Sequence, residues 1–482
     1  MDDRRDDVDA WLQARVESLP PPRGTFELIR KRARRRKIRQ AAVTAAAGAV
    51  VIAAIATVPQ VVLNVGPNPP EKGVPVAGQT SSPAHRTAPH RTPATPPAPA
   101  PAATALPPVP ANFAATSVTF VGTQTGWVLG QADIPGQCAT QYCTSVARTD
   151  DAGASWYGVR APVTGAPDGA AGVSQIRFLN TQDGWAFGPE LWATHDGGQS
   201  WARIRTGGLR VTALETVGAR AFAVWAHCTG TGQDFAAGCT TFGLYSSPAS
   251  GDGWSTVPGA GAGADISFGG KATSAALVLT SSRGYLLTPS GILLTGPVDG
   301  TGSWQVPPSA TPQNPLCQPG TAHPDGQPSG ASLAASDSTD LVLVCAGTVS
   351  AGGDSQQKTL YVSQDSGRTW QRRGELPASG IAMSAAAQPG GTVIVATSAG
   401  LDVSGDGGSS WQRRLLSPAG SGSAGSASPA GPTGPAEGFA YAGMTTVTQG
   451  VAVPADAGQH AMWFTFDGGT SWQRSAIKGP PA

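Results

Sequence analysis

Short apolar runs, separated by turns that contain glycine, fill the chain from about residue 111 to its end. Tandem pairs of such runs stand at 118–130 and 176–188. Each run has the length of a β-strand rather than of a helix, and the residues between the runs include turn formers such as Gly, Asn and Asp. The pattern predicts an all-β region in which these runs are the first and second strands of a repeated unit.

An eight-residue signature that ends in tryptophan recurs five times in this region. Its pattern is Ser/Thr-x-Asp-x-Gly-x-Ser/Thr-Trp, and the copies occupy 149–156, 194–201, 363–370, 404–411 and 465–472. The run before each copy is predicted to be a third strand, and the run that begins at the tryptophan a fourth. A period of about 40 to 60 residues is typical of repeat architectures, in which each unit buries its apolar face against its neighbours.

The residue types of the signature suit a tight turn between two strands. The Asp carboxylate can accept hydrogen bonds from nearby backbone N–H groups, and the Gly two positions later tolerates a positive φ. The Trp supplies a large apolar body that can pack against a neighbouring unit. We therefore interpret the following residues as structural: Asp151, Gly153, Trp156, Asp196, Gly198, Trp201, Asp365, Gly367, Trp370, Asp406, Gly408, Trp411, Asp467, Gly469 and Trp472.

The signature resembles the Asp-box of bacterial neuraminidases and of many other β-propellers. Two degenerate copies, at 250–254 and 299–304, bring the tryptophan-terminated turns to seven. The resemblance implies an all-β fold, a seven-bladed β-propeller over residues 111–480. The Phe-x5-Gly-Trp-x2-Gly element of the first two units is also similar to repeats of photosystem II assembly-factor propellers. We expect a non-catalytic member of this group.

The N-terminal region has a different pattern. Residues 1–40 carry 12 Lys/Arg and 7 Asp/Glu, and residues 41–65 contain no charged side chain. A helix of about 20 residues spans a bilayer, so 41–65 is predicted to be a single transmembrane signal-anchor helix. Because the basic residues precede it, 1–40 is predicted to be cytoplasmic and the rest exported. A cleaved signal peptide is the alternative interpretation.

Residues 66–110 are rich in Pro, Ala and Thr. Such a composition cannot build a core, so this segment is predicted to be a disordered, extended linker between the membrane and the propeller. A Ser-, Gly-, Ala- and Pro-rich segment at 420–438 is predicted to be a flexible loop between the sixth and seventh blades. The whole chain of 482 residues has 64 Gly and 42 Pro, which agrees with many short strands joined by turns.

All six cysteines follow the predicted membrane segment, which suits an oxidising compartment. Fifteen pairings are possible, and pairing of sequence neighbours is favoured because each pair closes a local loop. Zinc binding is the alternative, but the spacings are not those of zinc ribbons. The predicted disulfides are Cys138 with Cys143, Cys228 with Cys239, and Cys317 with Cys345.

In a four-stranded blade, the two–three loops and the blade connections lie on the face opposite the three–four turns. The predicted disulfides fall on or near that face, which we call the loop face. Loops held by a rigid scaffold often carry function, so the loop face is predicted to bind a partner, either an envelope protein or a glycan. The alternative, that the bridges only restrain long loops, stays open.

The sequence predicts no catalytic, cofactor-binding or metal-binding residue. It contains no Arg-Ile-Pro element of the sialidase type, no Ser-His-Asp pattern and no phosphate-binding Gly loop. The propeller region has only four glutamates, and the sequence places none beside a tyrosine: Glu190, Glu215, Glu375 and Glu437.

The exported part carries 20 Lys/Arg and 24 Asp/Glu, so it lacks the basic balance of a nucleic-acid binder. The expectation is therefore a single-pass protein of the cell membrane whose extracytoplasmic propeller is a binding or assembly module. The alternative is a glycoside hydrolase, sialidase-like or of another Asp-box type.

Overall fold

A computed structural model describes residues 106–133, 143–165, 171–228, 239–260, 275–288, 290–308, 316–317, 331–350, 354–415, 435 and 437–478. The predicted cytoplasmic segment, membrane helix and most of the linker lie outside the described residues, as does nearly all of 420–438. In the described ranges, no helix has the length and apolar character needed to cross a bilayer.

The described chain forms seven antiparallel sheets that follow one another along the sequence, which we call blades 1 to 7. The strands of the first three blades are β1 Ala114–Val121, β2 Thr125–Ala132, β3 Cys143–Thr149, β4 Tyr157–Val159, β5 Gln175–Phe178, β6 Gly184–Phe187, β7 Leu191–Thr194, β8 Ala202–Arg203, β9 Arg210–Val217, β10 Arg220–Cys228, β11 Cys239–Pro248 and β12 Ser255–Thr256.

Blade 4 has three strands, and a single bridge between Thr295 and Gln305 stands where the other blades have a fourth. The strands of blades 4 to 7 are β13 Ala276–Leu279, β14 Arg283–Leu287, β15 Leu293–Pro297, β16 Ala331–Ala335, β17 Leu341–Val349, β18 Gln356–Ser363, β19 Gln371–Glu375, β20 Ala382–Ala387, β21 Val393–Thr397, β22 Gly400–Ser404, β23 Gln412–Arg414, β24 Phe439–Met444, β25 Gly450–Pro454, β26 Ala461–Thr465 and β27 Gln473–Ala476.

The blades are arranged in a ring with their first strands at the centre. The first strands β1, β5, β9, β13, β16, β20 and β24 contact one another in that order, and β1 contacts β25 and β26 of blade 7. Some inner strands, such as β13 and β21, are buried along their full length, because each blade is packed between two others. The predicted all-β, seven-bladed β-propeller is confirmed.

Packing, rather than exchange of a strand, closes the ring between blade 7 and blade 1. Among the described residues, each sheet contains consecutive strands only. One apolar cluster joins Phe120 of blade 1 to Phe464 of blade 7, with their rings 5.9 Å apart in an edge-on contact. The side-chain amide of Gln449 donates to the carbonyl oxygen of Thr123 (2.9 Å) across the same seam.

Hydroxyl side chains satisfy backbone groups at the inner edges of the blades. The N–H of Ile176 donates to Ser117 Oγ (3.2 Å), and the N–H of Ala442 donates to Ser384 Oγ (2.9 Å). In both cases the hydroxyl belongs to the neighbouring blade. An edge strand leaves backbone N–H groups without sheet partners, and these bonds satisfy two of them while joining adjacent blades.

Candidate functional site

The five signature turns join the third and fourth strands of their blades and share one hydrogen-bond pattern. In the first, Thr149 Oγ1 donates to Asp151 Oδ1 (2.7 Å) and accepts from the N–H of Gly153 (2.9 Å). Asp151 also accepts from the N–H (2.8 Å) and the hydroxyl (2.5 Å) of Ser155. The same bonds recur around Asp196, Asp365, Asp406 and Asp467.

These turns hold their aspartates in the ionised form. Burial opposes ionisation of Asp151, but the hydrogen bonds from Ser155 and Thr149 lower the pKa of its carboxyl. The side-chain and backbone hydrogen bonds from Ser410 lower the pKa of Asp406 to about 2. A carboxylate that already accepts bonds on both oxygens within its own turn is poorly placed to act as a proton donor or to bind a ligand.

The tryptophan and glycine of a signature turn pack against the preceding blade in the ring. Trp156 is fully buried in the same apolar cluster as Phe464 of blade 7. Trp304, in a degenerate copy, lies 6.2 Å from the ring of Phe222 in blade 3. A Cβ placed on Gly153 would lie 2.6 Å from Phe464. The turns therefore act as joints between adjacent blades.

The signature turns lie on the same face as the one–two turns. The N–H of Ala152 donates to the carbonyl oxygen of Gln124 (2.9 Å), and the N–H of Gly197 donates to the carbonyl oxygen of Gln182 (2.9 Å). Blades 5, 6 and 7 have the corresponding bonds, from residues 366, 407 and 468. We call this surface the turn face, and it is opposite the loop face.

Two of the predicted disulfides are present. Cys228 at the end of β10 is bonded to Cys239 at the start of β11, and Cys317 in the connection after blade 4 is bonded to Cys345 in β17. Cys143 is also disulfide-bonded, while Cys138 lies outside the described residues. The loops at 134–142, 229–238 and 318–330 lie outside them too, so the binding role of the loop face stays a prediction.

A cavity of about 410 Å³ lies at the ends of four first strands, near the centre of the ring. Its wall is formed by the C-terminal ends of β1, β5, β9 and β24. These ends lead into the one–two turns, so the cavity is on the turn-face side of the propeller. We call it the axial cavity. The sequence predicted a binding surface on the loop face and did not predict this cavity.

An arginine and a glutamate from adjacent blades form a buried ion pair in the cavity wall. Arg177 is on β5, Glu215 is on β9, and they are 5% and 4% exposed. Arg177 Nε donates to Glu215 Oε1 (3.1 Å), and Nη1 donates to the carbonyl oxygen of Ile176 (2.6 Å). Arg177 Nη2 is buried and has no hydrogen-bond partner among the described residues.

Burial strongly perturbs the ionisation of the cavity side chains. It raises the pKa of Glu215 above its ordinary value, against the opposing effect of the Arg177 charge and hydrogen bond. Tyr441 of β24 lines the same cavity, and burial raises its pKa to about 12. The sequence placed no glutamate beside a tyrosine. The ring brings Glu215 and Tyr441 to one cavity because blades 3 and 7 both contribute to its wall.

A second buried cation, Lys358 in β18, is used within the scaffold. Its ammonium group shares its three N–H donors among four backbone carbonyl oxygens, and the shortest bond is to Gly380 (2.7 Å). Burial lowers the pKa of Lys358 to about 8. Most of these carbonyls belong to the connection between blades 5 and 6, so Lys358 stabilises that connection. Across the described ranges, no cluster of three or more His, Cys, Asp or Glu side chains is placed to hold a metal ion.

The sequence contained a signal for the ion pair that its motifs did not reveal. Arg177 stands in the short strand Gln-Ile-Arg-Phe, and Glu215 in the otherwise uncharged stretch Val-Thr-Ala-Leu-Glu-Thr-Val. A charged residue inside a strand that is buried along its length requires a partner. The pattern could therefore indicate that each residue is paired, but not with which residue.

No family model matches this sequence, and no curated protein matches it. Among solved structures, similar ones include YCF48 from Cyanidioschyzon merolae, with 16% identity, a TM-score of 0.45, and coverage of 76% of this chain and 99% of that chain. A structure of YCF48 bound to a D1 peptide has 16% identity, a TM-score of 0.43 and coverage of 77% and 100%.

An ancestral GH74 enzyme has 17% identity, a TM-score of 0.46 and coverage of 77% of this chain and 48% of that chain. The chain thus spans about half the length of that enzyme. At these identities the similarity concerns the fold alone.

Proposed function

We propose that this protein is a membrane-anchored binding or assembly module whose propeller is extracytoplasmic and binds an envelope protein or a glycan. The uncharged segment 41–65 anchors the chain, and 1–40 stays in the cytoplasm because its basic residues precede the membrane helix. The disulfides of blades 3 and 5 support an oxidising location for the propeller.

The observation that carries the proposal is the composition of the axial cavity. Glu215 is the one carboxylate among the described residues that line it, and Arg177 occupies one of its oxygens. Most glycosidases use two carboxyl groups about 5 to 9 Å apart, one as acid and the other as base or nucleophile. A cavity with a single, paired carboxylate is suited to binding rather than to that reaction.

A sialidase-like activity is the second candidate, because Tyr441, Glu215 and Arg177 line one cavity. Sialidases use a tyrosine nucleophile in place of a carboxylate. The raised pKa of Tyr441 opposes this role, because a phenol that holds its proton to about pH 12 is a weak nucleophile near neutrality. Arg177 is also the one arginine among the described lining residues, whereas the sialidase resemblance implies three.

The first experiment tests binding against catalysis with the full-length chain in detergent micelles. Fluorogenic glycosides and sialosides are expected to show no turnover above that of a heat-inactivated sample. The same preparation is expected to sediment with isolated cell envelope. Digestion of the envelope with protease or with polysaccharide hydrolases before mixing then identifies which partner class is bound. Turnover that is lost in the Tyr441→Phe variant would overturn the binding proposal.

The second experiment tests the location and the loop face. A C-terminal tag on intact cells is expected to be accessible to added protease, and protection of the tag would contradict an extracytoplasmic propeller. Replacing Cys228 and Cys239 by serine is expected to weaken sedimentation with envelope if the loop face binds the partner. Full sedimentation with lowered stability would instead assign the bridge a purely restraining role.

A further inference from the structure

Stability alone does not account for the ion pair in the axial cavity. Arg177 and Glu215 lose almost all contact with water, and their attraction must offset a large desolvation penalty. Replacing such a pair by apolar side chains of similar size is often neutral or stabilising. Ionisable groups with perturbed pKa values in the wall of a cavity are instead typical of binding sites.

One hydrogen-bond donor of the pair has no acceptor in the described part of the chain. The guanidinium of Arg177 donates from Nε to Glu215 and from Nη1 to the carbonyl oxygens of Ile176 and Val118, but Nη2 has no acceptor among the described residues. A buried donor without an acceptor costs free energy. An oxygen atom supplied by a ligand in the cavity would relieve that cost, which the protein's own described groups do not.

The chemistry of the pair defines the ligand class. A guanidinium only donates hydrogen bonds and a carboxylate only accepts them. Because the two side chains are in direct contact, two adjacent hydroxyls of one ligand can reach both, one accepting from Arg177 Nη2 and the other donating to Glu215. Opposite charges in direct contact do not favour an anion. Val118, Met444 and Val451 also line the cavity and would contact carbon-bound hydrogens.

We propose that the axial cavity binds a neutral saccharide through two adjacent hydroxyl groups, one held by Arg177 and the other by Glu215. The volume of about 410 Å³ lies in the range of small-molecule sites and limits recognition to a short piece of a glycan. This inference rests on the proposed function, because it names the glycan among the two partner classes and gives it a site on the turn face.

The test uses methionine methyl groups as reporters, because Met444 lines the cavity whereas Met383 and Met462 do not. Full-length chain carrying ¹³C-methyl methionine, in detergent micelles, is titrated with methyl glycosides of glucose, galactose, mannose and N-acetylglucosamine. At least one glycoside is expected to shift the Met444 methyl signal and to leave the signals of the other three methionines unchanged. A Met444→Leu sample assigns the signal.

The variants then connect the signal to the ion pair. The double variant Arg177→Leu/Glu215→Leu removes both charges together and is expected to lower glycoside affinity at least about tenfold. The matched control Arg372→Leu/Glu375→Leu removes an exposed pair on blade 5 and is expected to leave the affinity unchanged. If the double variant does not fold, Glu215→Gln keeps the side-chain shape, and unchanged affinity in that variant would overturn the proposal.

Two results separate this inference from the proposed function. A Met444 signal that responds to none of the glycosides, in a chain that still sediments with envelope, would overturn the saccharide site and leave the binding module standing. A Met444 signal that responds to acetate but not to glycosides would show an anion site and would also overturn it. Loss of sedimentation in the wild-type chain would instead contradict the proposed function itself.

Discussion

The signature turns and the axial cavity both contain carboxylates, but the two regions use them in opposite ways. Asp151 finds its hydrogen-bond partners within four residues, and these bonds lower its pKa. Glu215 finds its partner 38 residues away in another blade, and burial raises its pKa. A carboxylate saturated by its own turn maintains the fold, whereas one buried at a cavity with a distant partner is a candidate for function.

The degenerate turns of blades 3 and 4 show which part of the signature the ring requires. Asp299 accepts from the N–H groups of Thr301 and Gly302 and lacks the full pattern, yet Trp304 is 1% exposed. Asp252 is directed instead at His195 of blade 2, with Oδ2 3.5 Å from Nε2. The tryptophan that packs against the preceding blade, which we call the wedge, is thus kept where the carboxylate hydrogen-bond pattern is lost. Contact between adjacent blades therefore depends more generally on the wedge than on the carboxylate.

The largest effect is expected from removing a wedge at the seam of the ring. Trp156→Ala should lower the free energy of unfolding by about 4 kcal/mol, because it leaves a large cavity between blades 7 and 1. Denaturant unfolding followed by circular dichroism measures the loss. Trp370→Ala is the control, since Trp370 is only partly buried and should lose less. Equal losses of stability in the two variants would show that the effect of Trp156 does not come from its complete burial at the seam.

The next effect concerns the ion pair. Arg177→Leu should destabilise the protein by about 3 kcal/mol, because Glu215 is then left buried without its partner. The double variant Arg177→Leu/Glu215→Leu should recover most of this loss in the same unfolding measurement. A double variant as unstable as the single one would mean that the pair is structural, like the signature aspartates, and would erase the contrast between the two regions.

The pH dependence of stability should separate the two kinds of carboxylate. The folded pKa of Glu215 is raised above its ordinary value of 4.5, so its contribution is fully present below pH 4.5 and is lost as the pH rises through the folded value. Relative to Glu215→Gln, the wild-type protein should therefore lose stability as the pH rises above 4.5. The signature aspartates, with lowered pKa values, should lose their contribution only as the pH falls below about 4.

The smallest effect is expected at His195, which is partly exposed between blades 2 and 3. Burial opposes protonation, but the hydrogen bond to Asp183 and the nearby Asp252 carboxylate raise its pKa. The stabilisation is present below the ordinary pKa of about 6.5 and is lost as the pH rises through the folded value. NMR titration of the imidazole should show a raised pKa, and Asp252→Asn should lower it. A His195 pKa that is unchanged by that substitution would show that Asp252 does not stabilise the protonated imidazole.

Sequence alone determined the blade number and the chemistry of the joints, because these depend on local order. The Thr149 to Trp156 turn contains its own donors and acceptors, so the spacing of its residues specifies its geometry before any long-range contact forms. The neighbour pairing of Cys228 with Cys239 is local in the same sense, since the bridge spans one hairpin loop.

Only the tertiary structure decided where the binding candidate lies. Arg177, Glu215 and Tyr441 come from three blades, and their meeting depends on how the ring closes, which no local spacing encodes. The pattern along the chain marked each charged strand residue as one that needs a partner, yet burial and the partner's identity arise when seven sheets pack around one axis. The turns are therefore readable from the sequence, and the axial cavity is readable only from the fold.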